Sequence, residues 1–145
     1  MALHNLNKKD DNSNSNAKVL IRVLKNLKSD SKESITLTGY QITSIVYSLE
    51  DYALAKPNGQ ILFLLLECSI FLKRLIDNPF MRRSLKSPEN NAVLNKTNEE
   101  SFVHGCNKLK NELDVIIKHL VLEIDLYTRI KDTNQPHLIP NNLQT

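Results

Sequence analysis

A chain of 145 residues carrying a net charge of +3 is long enough to bury a core of its own and needs no disulfide framework to hold a fold. The charge is too small to demand a nucleic-acid partner, so only local clustering of cations can argue for one. Two cysteines, Cys68 and Cys106, sit in apolar segments without metal-ligand spacing, and read as small core residues of a protein in a reducing cytoplasm.

Residues 1–13 are rich in Asn, Asp, Ser and Lys. They lack the apolar stretch of a secretory signal, and the composition predicts a disordered segment. A first helix is expected from about Ser15 to Leu27, capped by Ser15 or Asn16, because a short polar side chain can accept from the free N–H groups of a first turn. Val19, Leu20, Val23, Leu24 and Leu27 recur at three- and four-residue steps and make its apolar face. Lys18, Arg22, Lys25 and Lys28 recur at the same steps on another face.

Ser29–Ser34 is a polar linker. Thr36 or Thr38 then caps a second helix, Gly39–Leu49, with Tyr40, Ile42, Ile45, Val46 and Leu49 on its buried side. Pro57-Asn58-Gly59 signals a turn. The third helix, Gln60–Ile76, is apolar nearly all round in its first half, which predicts a central position with Phe63, Leu66, Ile70 and Leu75 in the core. A strand at Ile61–Leu66 is the alternative, but the apolar pattern continues through Phe71, Leu72, Leu75 and Ile76 as a helix requires. Glu67, Lys73 and Arg74 interrupt this segment well short of the roughly 20 apolar residues of a membrane span.

Asn78-Pro79 ends the third helix. Pro79–Leu85 is expected as a short helical turn exposing Arg82 and Arg83, and Lys86–Lys96 as a loop. Thr97 and Glu100 have capping-box spacing before a long last helix, Asn98 to about Ile130. Phe102, Cys106, Leu109, Leu113, Ile116, Leu120, Ile124 and Tyr127 form a seam of alternating four- and three-residue steps, suited to lengthwise packing on another helix. Residues 131–145 contain Pro136 and Pro140 and read as a flexible tail. The expected fold is therefore all-α: a compact domain over residues 14–130 with four main helices, the last of them long.

No catalytic centre emerges. Gly39, Gly59 and Gly105 belong to no phosphate-cradling loop. His104 and His119 are too far apart on one helix to share a metal, and His4 and His137 lie near the ends. Two-metal phosphoryl transfer needs clustered carboxylates. Glu112 with Asp114, and Glu123 with Asp125, point roughly 200° apart on a helix and read as solvated faces. Neither a metal nor a cofactor is called for. The basic stripe is the remaining constellation: four cations on one stripe of a helix expected to hold no acidic residue. Their mutual repulsion costs a few tenths of a kcal/mol per pair, which an anionic ligand would offset.

Three segments resemble a known family. Val19–Ser29 is similar to the basic spine helix that opens the helical C-terminal domain of nucleotidyltransferases of the poly(A) polymerase and oligoadenylate synthetase type. Leu37–Tyr47 resembles the helix that follows it, and Leu75–Asn90 a stretch of the bacterial members. The resemblance covers about residues 14–130. In that family a separate α/β domain holds the metals through a Gly-Ser turn and a strand-borne D-x-D pair, and both are missing here. The resemblance implies a substrate-binding half without its catalytic half. It implies that Lys25, with Arg22 and Lys28 beside it, meets nucleotide phosphates, and that Thr38 adds a hydroxyl contact.

Two further readings stand beside this one. The seam Phe102–Tyr127 would serve a helical interaction module, antitoxin- or adaptor-like, as a partner or homo-oligomer surface. A small RNA-binding protein would use the same basic stripe, although no aromatic residue for base stacking accompanies it. The partners expected are thus nucleotide or RNA phosphates held weakly, a catalytic nucleotidyltransferase domain or a second copy, and no membrane.

Overall fold

The computed structural model describes residues 2–57 and 60–134, and these form helices joined by short turns and loops. In chain order the helices are α1 (Ala2–Asn12), α2 (Asn16–Asp30), α3 (Gly39–Ser48), α4 (Asp51–Leu54), α5 (Ile61–Asp77), α6 (Pro79–Arg83) and α7 (Glu99–Asn134). Among the described residues there is no strand; one bridge, Lys86 with Ala92, closes the loop between α6 and α7. The four main helices expected from periodicity are α2, α3, α5 and α7. The short turn expected after Asn78 is α6, with Asn78 Oδ1 accepting from the Met81 N–H.

The core is one cluster drawn from all four main helices. Leu20, Leu24, Ile42, Ile45, Leu64, Leu72, Phe102 and Leu109 are among its fully covered members. Helices α5 and α7 run antiparallel through it. Ser69 Oγ donates to Asp114 Oδ1 at 2.5 Å midway along the pair. At one end Arg82 Nη1 donates to the Leu75 and Ile76 carbonyls, capping α5, while Arg82 Nε donates to Glu99 at the start of α7. Arg82 is therefore largely covered, against the expectation of an exposed side chain; Arg83 stays exposed.

Several sequence expectations need correction. Residues 2–12 are a helix and not a disordered segment. Its composition is polar because its ties are polar: Leu6 packs on the core, Asn5 donates to the Pro88 carbonyl, and Lys9 reaches the Leu49 carbonyl and Asp51. Ser15 does not cap α2, since its backbone is left-handed, with φ 65°. The cap comes from the turn before it, where Ser13 Oγ accepts from Ala17 N–H and Asp10 Oδ1 from Lys18 N–H. Asn16 is buried and donates to the Leu54 and Lys56 carbonyls, which pins α4 to α2. Phe63, Ile70 and Tyr40 are exposed, because α5 and α3 each keep one side facing solvent. Leu75 is buried, as expected, but Leu66, also expected in the core, is only half-covered. The box expected at Thr97 and Glu100 gives way to Asn95, whose Oδ1 accepts from Thr97 and from the Asn98 N–H. Gln60 N–H donates to the Pro57 carbonyl, while Asn58 and Gly59 lie outside the described residues. Helix α7 runs past the expected end at Ile130 to Asn134; the rest of the expected tail also lies outside them.

Gly105 is where the loop before α3 meets α7. A Cβ there would stand 2.7 Å from Leu37 Cγ and 3.0 Å from Leu37 N. Thr36 Oγ1 donates to the Ser101 carbonyl beside it, so segment 35–38 lies flush on the helix. Gly39 differs: a Cβ there would meet only Lys25, at an ordinary 3.5 Å. Gly105→Ala should therefore lower unfolding free energy by about 1–3 kcal/mol through overpacking. Gly39→Ala should be neutral or slightly stabilising. Urea unfolding of the two variants checks the contrast, and equal effects would mean that the close approach at Gly105 costs nothing to relieve.

Candidate phosphate-binding site

Helix α2 presents its cations as the sequence predicts, but the structure separates them. Lys18 Nζ donates to Asn7 Oδ1 at 2.6 Å, so this lysine holds α1 in place. Arg22 and Lys25 are exposed and Lys28 is half-buried, and none of the three forms an ion pair with a described residue. Arg22 precedes Lys25 by one helical turn and Lys28 follows it by one.

Lys25 meets α3. Its Nζ lies 3.7 Å from the point where a side chain on Gly39 would begin, so the ammonium rests over the first residue of that helix. The opening of α3 is ordered by a capping box. Thr38 Oγ1 accepts from Gln41 N–H at 3.0 Å, and Gln41 Oε1 accepts from Thr38 N–H at 3.0 Å. Gln41 is buried, so the box is fixed from the protein side. The sequence spacing T-x-x-Q carried this signal, but Thr36 was an equal candidate; Thr36 instead turns to α7.

This arrangement suits an oxyanion. The first N–H groups of a helix have no acceptor within it, and the helix dipole adds partial positive charge there. Thr38 uses an oxygen lone pair for its cap and keeps its O–H proton to donate. Glycine at the first position leaves open the approach that a side chain would narrow. Lys25 supplies a full positive charge at that spot, and Arg22 extends the charge along α2. Lys25 and Thr38 are thus brought together, whereas Arg22 and Lys28 lie one turn to either side.

Elsewhere several of the charged groups are already paired. A broad hollow of about 880 Å³ opens at the start of α7, lined by Arg82, Lys96, Glu99 and His104 among others. Its most buried cation, Arg82, is already bonded to Glu99. Asp114 accepts from Ser69 and Lys110; burial pushes its pKa up, but those two bonds outweigh it and hold the carboxyl below its ordinary range. Among the described residues no three of His, Cys, Asp and Glu gather where a metal could sit. Cys68 and Cys106 are buried, and desolvation pushes both thiols up to about 12, so neither is a nucleophile near neutrality. His4, His104 and His119 are exposed, while His137 lies outside the described residues.

No protein-family model matches this chain, and no curated protein matches it. Among solved structures it is similar to a STING-associated CdnE c-di-GMP synthase from Capnocytophaga granulosa, with a TM-score of 0.72 and 28% identity. The match covers 84% of this chain and 39% of that one, so the chain spans about two-fifths of the enzyme's length. The fold is thus related to that of a nucleotidyltransferase. Among the described residues no helix is long and apolar enough to cross a membrane.

The clasp at Glu99 makes a pH prediction. Hydrogen bonds from Arg82 and then Arg83 hold its carboxyl below the usual carboxylate range. A carboxyl with a lowered folded-state pKa stabilises the protein above its unfolded value, and that contribution fades as pH falls through the folded value. Glu99→Gln should therefore weaken the fold near neutral pH and flatten the acid limb of its stability curve. The two curves should converge where native Glu99 is protonated. Urea midpoints measured across the acid range test this; parallel curves would show that the clasp carries no linkage.

Proposed function

We propose that this chain is the helical, nucleotide-holding half of a nucleotidyltransferase, gripping phosphates with Lys25, Thr38 and the first turn of α3. Arg22 and Lys28 enlarge the positive field around them. Among the described residues no carboxylates gather where they could hold a metal. A separate catalytic domain supplies those, either on the same polypeptide or as a partner. The observation that supports this reading is the Lys25 ammonium over Gly39, beside a hydroxyl held by its own capping box. The similarity to a c-di-GMP synthase over two-fifths of its length agrees with a role as one part of a larger catalytic unit.

Two outcomes follow. Inorganic triphosphate or a nucleoside triphosphate should bind the chain weakly, with a Kd in the millimolar range, or about −4 kcal/mol. Amide chemical shifts should move at Lys25, Gly39 and Tyr40, and should weaken as salt rises, because exposed charges are screened. Lys25→Glu should abolish those shifts without unfolding α2, since the residue is exposed and lies off the apolar face. If the shifts appear only around Arg82 and Arg83, the phosphate site lies at the other end of the molecule.

The chain alone, given Mg²⁺ or Mn²⁺ and labelled nucleotide, should incorporate none into any acceptor. Incorporation lost on mutating a single carboxylate would reveal a metal site outside this reading.

The interaction-module alternative now has narrower support. Phe102, Cys106, Leu109 and Leu113 are fully buried inside this molecule, so the seam as a whole is not a surface. Only its far end is open.

A further inference from the structure

Helix α7 is much longer than the helix that covers it. Its 36 residues span about 54 Å, against about 25 Å for the 17 residues of α5. The Ser69–Asp114 hydrogen bond sets the register of the pair. Ile61, the first residue of α5, stands eight residues before Ser69, so in an antiparallel pair it lies beside Leu122, eight after Asp114. Beyond Leu122 no described helix covers its seam, and Ile124 and Tyr127 are exposed.

The apolar seam does not stop there. Leu109 and Leu113 are buried, and Ile116, Ile117 and Leu120 are packed at the edge of the core. Ile124 and Tyr127 continue the same line at four- and three-residue steps, yet are 53% and 68% exposed. Val121 and Ile130 flank them, about half exposed. An apolar line that is buried by a helix over its first half and bare over its second is shaped for another helix.

We infer that the free end of α7 pairs antiparallel with the same helix of a second copy, about a two-fold axis between Asp125 and Leu126. Three features of the helix select a second copy. The first is self-complementarity: that axis sets Ile124 opposite Tyr127, a contact made twice, with Val121 on one edge of the seam and Ile130 on the other. The second is charge. Lys131 falls opposite Leu120, one turn from the other copy's Glu123, so opposite charges meet across the pair. Asp125 and Arg129 pair with each other at 3.2 Å on the outer side, so those charges stay in solvent. The third is area. Val121, Ile124, Tyr127 and Ile130, each about half exposed or more, offer several hundred Å² between two copies, the size of a weak, reversible association. This pairing lies on α7, away from Lys25 and Thr38, and stands or falls separately from the phosphate reading.

Sedimentation of the 145-residue chain tests it. The mass should rise from 16.6 kDa toward twice that value as the concentration reaches about 100 µM. Ile124→Glu and Tyr127→Glu should each weaken association by about 30-fold or more, with helical circular dichroism unchanged. Leu122→Glu, on the opposite side of the helix, should leave it intact. Lys131→Glu should weaken pairing, and adding Glu123→Lys should restore it, an outcome that a general loss of solubility or structure would not give. A chain that stays monomeric throughout overturns the proposal and leaves the helix end to a partner of different sequence. So does a dimer lost with Leu122→Glu but not with Ile124→Glu.

Discussion

The close approach at Gly105 governs the rest of this molecule. Helix α7 admits the extended segment 35–38 against its backbone only because no side chain stands there. That contact buries Ile35 and Leu37 on one side of the segment and leaves Thr36 and Thr38 on the other, as alternation in an extended chain requires. Thr36 is thereby tied to Ser101, and Thr38 is delivered two residues later to open α3. The position of α3 then decides what Lys25 can reach. A packing constraint in the core is thus upstream of the one polar arrangement suited to a ligand.

The second organising device is Arg82. It joins three elements with one planar group: it accepts no bond itself, but donates to two carbonyls at the end of α5 and to the acid that opens α7. A helix C-terminus carries partial negative charge, so a guanidinium there is favoured twice, by the carbonyls and by Glu99. Together with Ser69 and Asp114, it fixes the slide of α5 along α7. The length of α7 left uncovered is a consequence of that register.

Periodicity made the main architecture legible. Apolar residues at three- and four-residue steps placed α2, α3, α5 and α7 to within a few residues, and the continuation through Leu72 and Leu75 decided helix over strand. Burial was legible where a helix has one apolar face, and illegible where it is apolar all round: nothing local says that Phe63 and Ile70 face water while Leu64 and Leu65 do not. Helix α1 was hidden because polar hydrogen bonds to distant carbonyls hold it, and these leave no periodic trace. At the candidate site, the cations on α2 could be read directly. That Lys18 belongs to Asn7 and Lys25 to α3 could not, since both depend on which helices pack beside them.

The sealing of the seam has an experimental corollary. Cys68 on α5 and Cys106 on α7 belong to the same buried cluster, each without access to solvent. An alkylating reagent can reach either sulfur only after those helices part, because the thiolate must form in water before it reacts. The speed of modification under native conditions is then set by how often the interior opens, and hardly by the chemistry of sulfur. The protein carries two built-in clocks for its own breathing, one on each wall of the same joint.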